Sequence, residues 1–590
     1  MHRRVFLIFA KYKVIKIDFL KNIASMKKAL SLSVLVAVCL LANIISSDAC
    51  TNVIVTKAAS VDGSTMVTYA ADSHQLYGVL YYHPAANWPA GAKLNVRSWD
   101  EGTFLGTIDQ IPHTYQTVGN MNQYQLIITE TTFGGRSGLE NEGGIDYGSL
   151  IYITLQRART AREAIAVMDA LTQQYGYVSE GESFSIADAN EAWIMEMVGK
   201  GDEKGTVWVA RRIPDGYISA HANQARIHTF PQNDPENCLY SKDVISFARS
   251  KGFFSGNDKD FSFCDAYCPI DFGGARACEA RVWSAFNILC NGSFSWTDDN
   301  GKNHVAKADD YLDFAMGHNL QHKMPLFVKP ASKVSVRALS NVMRDHYEGT
   351  PMDMTQDVGA GANHLPYRWR PMSFKVDGKS YVHERAIATQ QTGFWLLCQS
   401  RSWLPDEIGG IQWFGVDDAG TSALTPMYTN ITAVPECFRE GNGSFIEYSP
   451  TSAFWQVNKV THFAYLMYDR VAPVILKEVE KHENMCLDAV KVADQMALQL
   501  LNDGKRQEAL SVLTDVSCGR AQRMMTRWQQ LDNELLVKFT DGNIKVQNPD
   551  GSYKLETEDM DIPASPEHPD FPERWLRGIV KDHGDILEVK

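Results

Sequence analysis

Positive charge is what this chain is short of. Lys and Arg total 57 against 70 Asp and Glu, a formal net charge of −13. So acidic a protein has no general attraction for nucleic acid or for anionic membranes. Phosphate-binding glycine loops are missing too, because no Walker-type or dinucleotide spacing follows an expected strand. Nucleotide chemistry therefore has no support. Cysteine is sparse at 11 residues, and none of the spacings among Cys264, Cys268, Cys278 and Cys290 is that of a zinc ribbon. Disulfides or buried thiols are the expectation for that cluster, not a structural metal. No internal repeat or low-complexity linker divides the chain. Its composition, 44% hydrophobic and 22% charged, is globular and excludes wholesale disorder or a many-pass membrane protein.

The first fifty residues read as a targeting segment. Met26 is followed by Lys27 and Lys28, an apolar run from Ala29 to Ile45, and the small-residue stretch Ser46-Ser47-Asp48-Ala49. That is the layout of a secretory leader cleaved after Ala49. Translation is expected to begin at Met26, and the protein to be exported, periplasmic or extracellular, without stable membrane insertion after cleavage. A lipoprotein leader would normally carry Leu at −3 and a small residue at −2, where this chain has Ser47 and Asp48. Cleavage would leave Cys50 as the first residue. Such a cysteine combines a thiol with an α-amine of pKa about 7.7–8.0 that can serve as its base.

Downstream, Thr51 to Thr56 and Ser64 to Tyr69 read as strands joined by the Asp62-Gly63 turn. Another strand is expected at Tyr124 to Thr132, followed by a long helical stretch from Asp146 to Tyr175 with a capping box at Thr160. Strands return at 183–187, 192–198, 206–213 and 217–222. Residues 302–355 read as mixed and mostly helical, 381–434 as strand-rich, and 450–538 as helical. The polar end carries Pro563, Pro566, Pro569 and Pro572. Strands, a helix, then strands again imply an α+β fold with stacked sheets, not a βαβ wind. The expected divisions are 1–49, a catalytic region 50–450, a helical part 451–540 and a tail 541–590.

Several blocks carry a family likeness. Cys50-Thr51-Asn52, Asp62-Gly63-Ser64-Thr65 and Asp72-Ser73 come first. Glu130-Thr131-Thr132-Phe133-Gly134-Gly135, His221-Ala222-Asn223, Arg344 to Thr350 and Trp413 to Asp418 follow in order. In these the chain resembles, from Cys50 to Leu536, the bacterial cysteine dipeptidases related to the secernins, within the N-terminal-nucleophile (Ntn) hydrolases. The resemblance implies an αββα sandwich, cofactor-free hydrolysis of amides without a metal, and dipeptides as substrates. It makes Cys50 the nucleophile and Asp72 the acidic residue that fixes its geometry. Asn223 becomes an oxyanion donor, and Arg281 an active-site arginine. One departure stands out: related acylases carry an Arg three residues before their Asp, and here that position is Tyr69.

Other readings compete. An Ntn acylase acting on N-acyl amides shares the nucleophile. A metallopeptidase would use His318 and His322, which are four apart but lack the intervening Glu of that motif. A glycosidase would need Asp417 and Asp418 on one face, whereas neighbours on a strand point to opposite faces. A non-enzymatic exported lipoprotein could use its 13 Trp and 23 Tyr to line a groove.

Overall fold

The computed structural model describes residues 50–369, 372–557 and 560–590. The leader, the start site and Cys39 lie outside the described residues. The chain divides into a large compact unit, residues 48–370 and 383–590, and a small one, residues 1–47 and 371–382. The described part of the small unit is a hairpin in which Ser373–Val376 pairs with Lys379–Val382. Asp377 and Gly378 turn it with φ of 50° and 75°, the positive pair that a tight two-residue hairpin requires.

In the large unit the chain forms β1 (Asn52–Val55), β2 (Thr65–Asp72) and β3 (Ile127–Gly134). Helices α1 (Tyr147–Leu155) and α2 (Ala161–Tyr175) follow, then β4 (Gly181–Ala187), β5 (Ala192–Lys200), β6 (Glu203–Arg212) and β7 (Ile218–His221). After α3 (Ala280–Leu289) come β8 (Thr392–Ser400), β9 (Gly410–Val416) and β10 (Thr425–Tyr428). The chain then enters α4 (Ala453–Leu466), α5 (Tyr468–Asn502) and α6 (Arg506–Lys538).

These strands build two antiparallel sheets. The first has the order Phe327–Val328, β7, β1, β2, β8, β9, β10. The second runs Cys238–Tyr240, β6, β5, β4, β3, then three short strands ending at Tyr82–His83. β1 and β2 meet β3 of the second sheet, and β2 also meets β4. Helices α1 and α2 pack on the second sheet, while α3, α4 and α6 pack on the first. Alternation along β5 shows the sorting: Trp193, Met195 and Met197 join the core under α1 and α2, while Ala192, Ile194 and Val198 join the inter-sheet core. With both faces covered, β2 and β8 are buried at every position, and strict polar alternation is lost.

The fold is α+β with a helical C-terminal extension. In that extension α5 buries Val471, Ile475, Val479, Cys486, Val490, Ala493 and Ala497, a seam at spacings of three, four and seven, against α6. No helix among the described residues is long and apolar enough to cross a membrane.

Four local expectations need correction. Residues 302–355 are mostly not helical: Asn303–Lys307 pairs with Ser293–Thr297, and the longer of the two short α-helices is Val336–Val342. Cross-strand pairing through the Asp298–Gly301 turn overrides the local helical pattern there. The stretch 146–175 is two helices, capped separately by Asp146 and Thr160, whose side chains satisfy N–H groups at each helix start. Asp417 and Asp418 follow β9 instead of lying on it, Asp417 with φ of 65°. The proline-bearing tail contains a helix, Glu573–His583.

Candidate active site

The start of β1 is where chemistry-bearing groups converge. Thr51 bridges Ala70 of β2, so Cys50 sits one residue beyond the last pairing, beside a register shift between Ala71 and Asp72. A second irregularity, between Thr132 and Gly134, lies on β3. Bulges of this kind re-aim side chains next to active sites.

Cys50 is half-buried and held at both ends of its backbone. Its N–H donates to Asn223 Oδ1 at 2.8 Å, and its carbonyl accepts from Arg281 Nη1 at 2.6 Å. Arg281, on the first turn of α3, is fully buried. Nε donates to Ala277 O, Nη1 also to Thr51 Oγ1, and Nη2 to Ala222 O and Asn223 Oδ1. All five guanidinium donors are thus used, four of them on Cys50, Thr51, Ala222 and Asn223. Asn223, two residues past the end of β7, has φ of 61°, a left-handed conformation that Asn tolerates better than most residues. Its Nδ2 donates to Thr132 O at 2.6 Å.

The thiol faces the second sheet. Cys50 Sγ lies 3.6 Å from Glu130 Oε1 and 3.9 Å from Tyr69 OH, and Tyr69 OH donates to the same carboxylate oxygen at 2.6 Å. Burial pushes the thiol well above its ordinary pKa, and the carboxylates of Glu130 and Asp72 push it further. The backbone N–H of Asp72 and the hydroxyl of Tyr69 act in the opposite direction. The Asp72 carboxylate is turned to other partners: Arg385 Nη2 and Thr392 Oγ1, each at 2.6 Å. Burial raises its pKa despite Arg385 and Arg281 nearby.

The four residues singled out in the sequence, Cys50, Asp72, Asn223 and Arg281, therefore lie together. Asn223 meets the Cys50 backbone N–H with its oxygen, and Asp72 meets the thiol with its main chain. Sequence reading gave no role to Glu182, Thr132, Arg385 or Thr392, and it took Tyr69 only as a departure. Glu130 carried a readable signal: a Glu in an otherwise apolar and hydroxylic strand, IITETT, buried on both faces. Arg385 and Glu182 had none, since each meets the site from a distant part of the chain.

Among the described residues one group, His228, Cys264 and Asp265, has the spacing of metal ligands. Lys323 Nζ ion-pairs with Asp265 and lies 3.5 Å from His228 Nδ1, so an ammonium already neutralises that carboxylate. The ten described cysteines are all unpaired.

The sequence profile described as peptidase family C69 matches residues 49–85 and 79–481. Among curated proteins, the chain is similar to a probable dipeptidase of Salmonella dublin, at 25% identity over 64% of this chain and 81% of the relative. A probable dipeptidase of Latilactobacillus sakei is 24% identical over 67% and 77% of the two chains. Dipeptidase A of Lactobacillus helveticus is 22% identical over 70% and 81%. The profile opens one residue before Cys50 and runs on into α5, through every strand of the two sheets, and the chain belongs to peptidase family C69.

Proposed function

We propose that the protein is a dipeptidase that hydrolyses its substrate with an N-terminal cysteine nucleophile. The observation that carries this reading is the grip on Cys50: Arg281 holds its carbonyl and Asn223 its N–H, while the thiol lies against Glu130 and Tyr69. Two facing sheets with helices packed on each support the αββα Ntn arrangement. The relatives' names, dipeptidases, supply the substrate class.

On this reading export and cleavage after Ala49 convert the Cys50 N–H into a free α-amine. That amine takes the thiol proton, and the sulfur attacks the carbonyl of the peptide bond. The C–N bond breaks, the amine passes the proton to the leaving nitrogen, and a thioester remains. Water, deprotonated by the same amine, then hydrolyses the thioester and regenerates the thiol. Asn223 fixes the amine through Oδ1. The second N–H of its Nδ2, beyond the one given to Thr132, is placed to serve the oxyanion. The Asp72 main-chain N–H stabilises the thiolate, and its carboxylate anchors Arg385.

The test uses exported protein. Intact mass and N-terminal sequencing should show a chain beginning at Cys50. Its activity on a panel of dipeptides should survive chelator and fall at least about 10³-fold in Cys50→Ala. A chain with residues still attached to Cys50, a lipidated Cys50, or full activity in the variant would overturn the reading. Turnover of N-acyl amides alone would move it to acylase chemistry.

A further inference from the structure

The second sheet presents one buried carboxyl group, Glu130, to the nucleophile, with a second, Glu182, on the neighbouring strand. Glu130 and Glu182 project from neighbouring strands β3 and β4. The register pairs Thr132 with Glu182, which puts Glu130, two residues from Thr132, on the same face as Glu182. Both residues are almost wholly buried, at 1% and 0% exposure. Glu130 Oε1 receives Tyr69 OH, and Glu182 Oε1 receives Thr132 Oγ1 at 2.6 Å. The other oxygen of each, Oε2, has no hydrogen-bond donor among the described residues. Burial raises the pKa of both carboxyl groups, and the charge of Glu130 raises that of Glu182 further. Asp100, bonded by Tyr147 OH, adds a further carboxylate to the surroundings.

Burying a carboxylate without a cation is costly, and at several other buried acids an arginine meets that cost. Asp72 has Arg385, Glu279 has Arg226 and Glu483 has Arg344. Beside the thiol, the groups that bear on Glu130 and Glu182 are hydroxyls, a thiol and other acids. The missing positive charge belongs to something that enters. In this chain Cys50 N donates to Asn223, and the atom that approaches Glu130 is Sγ.

We infer that Glu130 and Glu182 receive the free α-ammonium of the substrate's first residue. The inference rests on the dipeptidase reading and deepens it. Distances agree: in any α-amino acyl group the nitrogen lies about 2.5 Å from the carbonyl carbon. A carboxylate 3.6 Å from the attacking sulfur can therefore bond that ammonium while the sulfur meets the carbonyl. The ammonium brings both the positive charge and the N–H donors that the two Oε2 atoms lack. Substrates with a blocked or absent amine would leave the pair buried and unpaired. The pair thus measures the chain end and confines the enzyme to the first peptide bond.

The experiment compares a dipeptide that the wild-type enzyme cleaves with its des-amino analogue, in which hydrogen replaces the α-amine. Wild type is expected to prefer the dipeptide in kcat/KM by about 30-fold or more, since truncating a buried charge pair costs about 2–5 kcal/mol. Glu182→Gln should reduce that preference to within a few-fold, chiefly through KM for the dipeptide. Glu130→Gln is the second variant if the first fails to fold by circular dichroism. Equal turnover of the two substrates by wild type, or an unchanged preference in the folded variant, would overturn the inference. Dipeptide cleavage that survives Cys50→Ala would instead sink the dipeptidase mechanism, so the two failures are told apart.

Discussion

Two of the groups of buried acids in this protein are built differently. Around Arg226, Glu279 accepts from Nε at 2.8 Å, and Glu196 accepts the backbone N–H groups of Arg226 and Ile227. Arg226 spends its remaining donors on Ala220, Leu326 and Pro325 carbonyls. Every carboxylate there has hydrogen-bond donors, from a guanidinium or from the backbone. Around Cys50, Glu130 and Glu182 have no ion-pair partner among the described residues, and two carboxylate oxygens wait without donors. The first group pins the ends of β5 and β7 to the segment leading into α3. The second is incomplete in a way that only a ligand completes. The contrast separates what holds this fold together from what makes it reactive.

The largest expected effect breaks the saturated group. Arg226→Met strands Glu279 and lowers the unfolding free energy by about 3–5 kcal/mol. Glu182→Gln removes a charge that has no partner and leaves stability within about 1 kcal/mol of wild type. Urea denaturation of both reads the difference. Equal losses would erase the distinction between the two groups.

Next comes Tyr69→Phe. It deletes the hydroxyl between the thiol and Glu130, and a hydrogen bond to a charged group is worth about 1.5–3 kcal/mol. The expectation is a fall of roughly 10- to 100-fold in kcat/KM, with thermal stability little changed. A variant that loses folding stability but keeps its rate would make Tyr69 a structural residue.

The smallest effect is a pH slope. His221 is buried between the sheets, within hydrogen-bonding distance of Thr131 Oγ1 at 2.8 Å and Ser185 Oγ at 2.6 Å. Burial, aided by Arg226, lowers its pKa from 6.5 to about 3. Below pH 6.5 the unfolded chain takes up a proton that the folded chain refuses. The stability contribution is therefore whole above pH 6.5 and is lost as pH falls toward 3, by about 1.4 kcal/mol per pH unit. Denaturant midpoints measured from pH 7 to 5 should fall less steeply in His221→Gln. Parallel slopes would mean that His221 is protonated in the fold.

Parts of this were legible in the chain. The strands 51–56, 64–69 and 183–222 and the helices of 450–538 follow from local pattern, because each pays its way in a layer that pattern alone anticipates. The hairpin inside 293–307 was hidden because its partner strands are both half-exposed and carry no strong apolar signal. In the site, Cys50 announces itself by position and Asp72, Asn223 and Arg281 by resemblance. Glu182 and Arg385 announce nothing, since Glu182 reads as one polar residue at a strand start and Arg385 as one basic residue in a loop.

What the sequence by itself determined is the material: an acidic chain, a cysteine at a potential leader junction, and strands β3 and β4 whose one charged residue each is Glu130 and Glu182. These depend on neighbours along the chain. Only the tertiary structure decided the company those residues keep. Arg281 reaches Cys50 across 231 positions, Asn223 across 173, and Arg385 reaches Asp72 across 313. The reason is physical: electrostatic complement and hydrogen-bond satisfaction are properties of distance in space. Whether a buried carboxylate is paid with an arginine or left open for a substrate is settled only when the two sheets close on each other.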